Sequence, residues 1–288
     1  MTNLDQALEA ALGSPPAASR AVGGGCIAEA RIVALADGRR IFLKTHPAPP
    51  PRFFECEAAG LEALGRAGVL RVPAVLATGP EDAPFLALEL VESGQRGPGF
   101  HARFGAALNR LHRATSGGAF GFAHDNYIGA TPQRNGWMDD WLDFLRERRF
   151  LPQLALLERN GLSSRKLRHL TDRLLGRLPE LLGESAREPA VLLHGDLWGG
   201  NYLVDERGEP VLIDPAAYHG HREMDLAMTQ LYGGFPGSFL QGYDEEWPLA
   251  PGWRERMPIY QLYHMLNHAN LFGAHYLEQA LATLAEYS

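Results

Sequence analysis

Three observations in this sequence predict an α+β protein of two lobes. Up to residue 91, short extended runs and turn signals surround a single helical stretch; beyond residue 99, helical periods dominate; between them, "ESGQRGPG" is a glycine-rich connection. The expected organisation is a small antiparallel β-rich lobe over residues 1–91, a joint over 92–99 and a larger, mostly helical lobe over 100–288.

Each element has a local reason. Leu4, Leu8 and Leu12 recur at helical spacing, so the first dozen residues form a short helix. In "AVGGGCIAEARIVALADGRRIFLKTH" the period shortens. Ile32 and Val33 lie in an extended run, Asp37-Gly38 is a hairpin signal, and "RIFLKTH" is the returning strand. Pro47 and Pro49 to Pro51 stop that strand. "RFFECEAAGLEALGRAG" places Phe54, Ala58, Leu61 and Leu64 on one helical face, and "RVPAVLATG" and "APFLALELV" are two further strands. After the joint come helical patterns in "FHARFGAALNRLHRAT", "WMDDWLDFLRERR" and "SSRKLRHLTDRLLGRLPELL". A strand pair around Asp196 and Asp214 interrupts them, and further helices, including "PIYQLYHMLNHANLFGAHYLEQALATL", close the chain.

Composition narrows the function classes. A chain of 288 residues that is 45% hydrophobic can bury a full core. With a formal charge of −7 and no lysine- or arginine-rich run, nucleic acid and anionic membranes are not expected partners. Cys26 and Cys56 make no disulfide framework or zinc motif, and the eleven histidines show no metal-ligand spacing. The amphipathic start is not a secretory signal, no apolar run reaches the ~20 residues of a membrane span, and a reducing cytoplasm is the expected location.

The chemistry concentrates in "AVLLHGDLWGGNYLVDERGEPVLIDPAAYHG". Asp196 and Asn201 stand five residues apart in one loop, and Asp214 follows Asp196 by eighteen residues, room for a short hairpin that returns both carboxylates to one place. Phosphoryl transfer from ATP needs phosphates cradled, a metal held on them, and an acceptor hydroxyl aimed and relieved of its proton. Candidates for each part occur in order. Gly23, Gly24 and Gly25 sit at a turn between strands, where backbone amides can approach phosphate. Lys44 lies in a strand otherwise apolar at its centre, and Glu57 is on the next helix. Singly, each has a plainer reading: a loop, a snorkelling lysine, a solvated helix face, a turn. Their joint order favours a protein-kinase-like arrangement, with a loop Asp, an Asn five residues on and a further Asp on the metal.

"LLHGDLWGGN", "DPAAYHGHREMDLA", "GGFPGSF" and "YQLYHMLNHANLFG" resemble the fructosamine kinase family, relatives of the aminoglycoside and choline kinases, and the resemblance runs from "GGGCIAEA" almost to the C-terminus. It implies ATP and Mg²⁺ as cofactors and, as partners, ketosamine small molecules or glycated proteins. Such kinases phosphorylate the 3-hydroxyl, after which the sugar is shed. Carried onto this sequence, Asp196 is the base, Asn201 and Asp214 hold magnesium, and Lys44 contacts phosphates and pairs with Glu57. Glu89, Leu90 and Val91, ending the fifth strand, form the hinge that holds adenine. "HGD" and "DPA" stand where protein kinases have "HRD" and "DFG", and no "APE" follows, so a protein substrate regulated through an activation segment is not expected.

Other residues carry two readings each. Trp198 is either a wall of the sugar site, beside space left by Gly199 and Gly200, or an anchor for its own loop. Asp139, Asp140, Asn267 and His268 reach the sugar or its amine, or serve as helix caps and core residues. Asp225 is expected to brace the catalytic loop, and Cys26 is a small filler or an oxidisable thiol. An aminoglycoside- or choline-type kinase and a nucleotide-binding scaffold without turnover are the competing functions.

Overall fold

The structure is a computed structural model describing residues 2–23 and 27–287; Gly24, Gly25 and Cys26, expected in the phosphate loop, lie outside the described residues. By internal contacts the chain divides into two compact units, Met1–Phe100 with Asn201–Pro215, and His101–Gly200 with Ala216–Ser288.

The first unit opens with helix α1 (Asn3–Leu12), which starts at a capping box formed by Thr2 and Asp5. Strands β1 (Pro16–Val22), β2 (Glu29–Leu35) and β3 (Arg40–Thr45) follow, then helix α2 (Phe53–Arg66) and strands β4 (Val75–Thr78) and β5 (Phe85–Glu89). The strands form one antiparallel sheet in the order β1-β2-β3-β5-β4. Strand alternation divides the core in two. Val33, Leu35, Ile41, Leu43, Phe85 and Ala87 pack with Leu8 of α1. Leu86 and Leu88 pack with Phe54, Ala58 and Leu61 of α2, and Phe42 joins them there. Strand β1 is largely exposed along its length, so it carries no apolar alternation from which its bounds could be read.

The second unit begins with helix α3 (Phe100–Ala114), hairpin strands β6 (Asn126–Ile128) and β7 (Thr131–Gln133), and helix α4 (Trp141–Phe144), which runs through a π-helical turn (Leu145–Phe150) into α5 (Leu151–Arg159). Helix α6 (Arg165–Leu182) and strand β8 (Val191–Leu193) lead to the "HGDLWGGN" loop. The next segment, β9 (Tyr202–Val204) and β10 (Pro210–Leu212), belongs to the first unit. The chain returns through β11 (Tyr218–Gly220), α7 (Glu223–Thr229), α8 (Gly237–Glu246), α9 (Trp253–Phe272) and α10 (Ala274–Tyr287). Helix α9 is buried around most of its circumference and is the central support of its unit.

The short hairpin expected between Asp196 and Asp214 is present as β9–β10, but the strands that lead into the two acids, β8 and β10, do not pair with each other: β8 pairs with β11, and β9 pairs with β10. Asp196 therefore follows β8 in one unit, whereas Asn201 and Asp214 flank the β9–β10 hairpin in the other. Among the described residues, no helix is long and apolar enough to cross a membrane.

Candidate active site

The alternation that buries Ile41 and Leu43 toward α1 turns Phe42 and Lys44 toward α2. There Glu57 stands one turn beyond the buried Phe54. Lys44, only 7% exposed, donates from Nζ to Glu57 Oε1 and to Asp214 Oδ1, both at 2.6 Å. Burial alone would pull the Lys44 ammonium down, but Glu57 and Asp214 together hold it above the ordinary lysine value. Burial pushes the Glu57 carboxyl up, Lys44 draws it back, and the Asp214 charge adds to the upward push. A buried cation thus stays charged because two anions share it.

The β9–β10 register sets Tyr202 opposite Leu212, and the Ile213 N–H bonds to Asn201 O at 3.1 Å. Asn201 and Asp214 consequently leave the same end of the hairpin. Asp214 has φ 55°, a left-handed conformation that aspartate tolerates better than most residues. Arg71, which the sequence reading passed over, holds this hairpin. Its carbonyl accepts from Leu212 N at 2.9 Å, and its guanidinium bonds to Asp205 Oδ2 and Glu89 Oε1, both at 2.7 Å. Asp205 also accepts from the backbone N–H groups of Arg207 and Glu209, capping the hairpin turn. Burial would raise the Asp205 carboxyl, yet these bonds and Arg71 hold it below the usual range. Of the expected adenine hinge, Glu89 is committed through its side chain to Arg71 and Ala74 N and through its own N–H to Ala74 O, while Val91 is buried. Gly23 is exposed and faces open space.

In the second unit the loop after β8 is braced from below. The N–H groups of His194 and Gly195 each donate to the Asp225 carboxylate at 2.8 Å. Asp225 stands in the first turn of α7, 1% exposed, with His112 Nε2 at 3.3 Å; His112 Nδ1 in turn meets the Tyr243 hydroxyl at 2.8 Å. Burial would raise the Asp225 carboxyl, but the His112 hydrogen bond, neighbouring charges and backbone donors hold it below the usual aspartate value. Gly195 has φ 84°, and a Cβ there would collide with Ala216 O, so this position of "HGD" admits only glycine. The Asp196 N–H donates to His194 Nδ1 at 3.2 Å. The bracing role expected of Asp225 is what its hydrogen bonds perform.

Trp198 is 40% exposed, and its ring lies over Gly200 where a Cβ would collide with it, whereas Gly199 is open. Only one of the two glycines leaves space beside the indole. Asp139 is exposed, and Asp140 caps α4 by accepting from Asp143 N at 2.9 Å. Asn267 is 2% exposed and accepts from Gln153 at 3.3 Å. His268 is half-buried beside Tyr232, Phe272 and Tyr276. Lys44, Glu57 and Asp214 are thus in direct contact and Asn201 adjoins Asp214 through the hairpin, whereas Asp196, Trp198, Asp139, Asp140, Asn267 and His268 all belong to the second unit.

Known proteins share this sequence over most of its length. A Synechocystis chain named "Probable ketoamine kinase" is 42% identical over 271 residues, covering 93% of this chain and 89% of its own. A rice (Oryza sativa subsp. japonica) chain named "Protein-ribulosamine 3-kinase, chloroplastic" is 39% identical over 271 residues, covering 92% and 77%. A Thermobifida fusca crystal structure assigned as a fructosamine-3-kinase superposes with TM-score 0.88 at 36% identity, covering 98% of this chain and 97% of that one. The fold is the α+β, protein-kinase-like one expected. With the sequence model of fructosamine kinase matching residues 1–287, this phosphotransferase chain belongs to the fructosamine kinase family.

Proposed function

We propose that this enzyme transfers the γ-phosphoryl group of ATP to the 3-hydroxyl of a ketosamine, a fructosamine or ribulosamine carried on a small amine or a protein, and so initiates deglycation. The observation that carries the reading is the buried Lys44 ammonium held between Glu57 and Asp214, a fixed cation of the kind phosphoryl transfer uses. In this reading Lys44 and the Gly23 to Gly25 loop receive phosphates, and the backbone of Glu89 to Val91 receives adenine.

The donors suit magnesium. Asp214 and Asn201 offer a carboxylate and an amide oxygen from one hairpin end, and magnesium takes one or two such ligands beside substrate phosphates. Phosphate oxygens and water would complete the shell of an ion held by Asn201 and Asp214. An ion held there would supply charge neutralisation on the transferring phosphoryl group. Asp196 accepts the proton of the acceptor hydroxyl, with its loop fixed by Asp225. In the same reading Trp198, Asp139, Asp140, Asn267 and His268 contact the sugar or the amine of the acceptor.

ATP consumption with fructoselysine should exceed that with kanamycin and with no acceptor. Asp196→Asn keeps the shape but not the base, so turnover should fall by about 10²-fold or more while Mg·ATP binding survives. Preference for kanamycin would reassign the substrate class, and near-normal turnover of the variant would remove Asp196 from the role.

A further inference from the structure

The segment "LYGGFPG" leaves α7 through Tyr232 at φ 51° and Gly233 at φ 84°. A bulky side chain in the left-handed region is strained, and such strain persists where the surroundings hold a residue in place. The surroundings here are aromatic. The Tyr232 ring lies 4.7 Å from His268 and 5.6 Å, edge-on, from Tyr276 (centroid to centroid). His268 and Phe272 are four residues apart, on one face of α9, with centroids 5.5 Å apart. Tyr276, in the first turn of α10, lies 5.3 Å from His268 and 6.0 Å from Phe272. The four rings form a connected group that is not closed over: Tyr232 is 39% and Phe272 53% exposed.

His268 adds one directed polar atom. Its Nδ1 lies 2.8 Å from the His264 carbonyl, which can only accept, so Nδ1 carries the proton. Burial lowers the proton affinity of the imidazole, against the opposite pull of the His264 carbonyl. Nε2 is therefore a lone-pair acceptor, and it makes no hydrogen bond among the described residues. The group also sits on the helices that support the catalytic loop. Tyr232 follows the end of α7, whose first turn carries Asp225. Gln261 of α9 donates to Ala227 O of α7 at 3.1 Å, and His264 lies within the field of both Asp225 and His268.

We propose that Tyr232, Phe272 and Tyr276, with His268 Nε2 among them, form the subsite for the amine half of the acceptor. The proposal rests on the functional reading above. The nitrogen of a ketosamine is a protonated secondary amine bearing a substituent. Ring faces attract such a cation within about 6 Å, and they shed water when a carbon chain covers them. The Nε2 lone pair accepts the ammonium N–H. The acceptors favoured are those whose nitrogen carries a flexible alkyl chain, as in a glycated lysine side chain, over those with a carboxylate beside the nitrogen.

The test is the ratio of kcat/KM for fructoselysine to that for fructosylglycine, with KM for ATP and Tm measured alongside. The wild type should favour fructoselysine, and Phe272→Ala should cut that preference about ten-fold, in line with one lost cation–π and apolar contact. Tyr232→Gly is the second variant: glycine suits the left-handed backbone, so Tm should hold while the preference falls. Equal losses on both acceptors, or an unchanged ratio in both variants, would overturn the subsite alone. A wild type that turns over neither acceptor would instead overturn the functional reading on which it rests.

Discussion

Asp214 and Asp196 are the same side chain in similar settings, short loops beside short strands, yet the molecule holds them by opposite means. Asp214 is gripped by charge, with Lys44 Nζ at 2.6 Å and a left-handed backbone beneath it. The loop of Asp196 is gripped by its backbone, through two N–H bonds to the buried Asp225 and a glycine that admits no side chain. The difference follows from the tasks proposed for them. A metal ligand can be held by a cation that a metal and phosphates later replace. A general base has to keep its place and its basicity while charge moves in front of it, so its support is better placed behind it.

The contrast is broken most severely at Asp214. Asp214→Ala removes the proposed metal ligand and leaves Lys44 paired with Glu57 alone, so the buried cation remains compensated. Magnesium-dependent turnover should be lost, at least about 10³-fold, while Tm changes little. Turnover that persists in excess chelator would defeat the metal role. On the other side, Asp225→Asn keeps the shape but can no longer serve both N–H groups and His112 as an anion. Stability should drop by about 3 kcal/mol, and turnover should fall by roughly 10²-fold through displacement of the loop. The pH dependence has a definite sign. The folded Asp225 carboxyl lies below its unfolded value, so its stabilisation is present above the ordinary aspartate value and is lost as pH falls through the lower, folded one. Tm measured against pH should show that acid-side loss in the wild type and a weaker one in Asp225→Asn.

The same contrast explains how much could be read in advance. Order and residue type alone singled out Lys44, Glu57 and Asp214, and the fold brings these three side chains into contact. Alternation along β3 even sets which face Lys44 takes. That β8 pairs with β11 around the β9–β10 hairpin was not legible, because spacing does not tell one strand pair from two nested ones. Arg71 was invisible for a different reason. A lone arginine before Val72-Pro73 looks like any surface charge until tertiary contacts bring Asp205 and Glu89 to it. The strain at Tyr232 is likewise a property of the backbone, unmarked by the glycine that follows it.

Arg71 sharpens the comparison within the charged region, because it joins Glu89, proposed for the adenine hinge, to the hairpin proposed to carry the metal ligands. Arg71→Met leaves the nearly buried Asp205 short of its charged partner, costing about 2 kcal/mol. The loss should appear as roughly 30-fold weaker Mg·ATP binding, with metal-free ATP affected far less, if the hairpin carries the proposed metal ligands. Calorimetry of ATP binding with and without magnesium separates this from general destabilisation, in which both affinities would fall together.

The smallest effect is expected at Trp198, two residues beyond the proposed base. The indole covers Gly200 on one side and leaves 40% of the residue exposed, so it is anchored to its own loop and still presents a face. If that face stacks on the sugar, Trp198→Ala should lower kcat/KM for the ketosamine about ten-fold, close to 1.4 kcal/mol and within reach of an aromatic contact. KM for ATP should hardly move, because Lys44, Glu57 and the metal hairpin all belong to the other unit. Trp198→Phe keeps a ring over Gly200 and should restore most of the loss. An indole that only anchors the loop predicts a different pattern: Tm falls, Asp196 is displaced, and kcat drops with little change in KM for the acceptor. Measuring kcat and both KM values beside Tm in the two variants therefore decides whether this ring belongs to the acceptor site or to the scaffold behind the base.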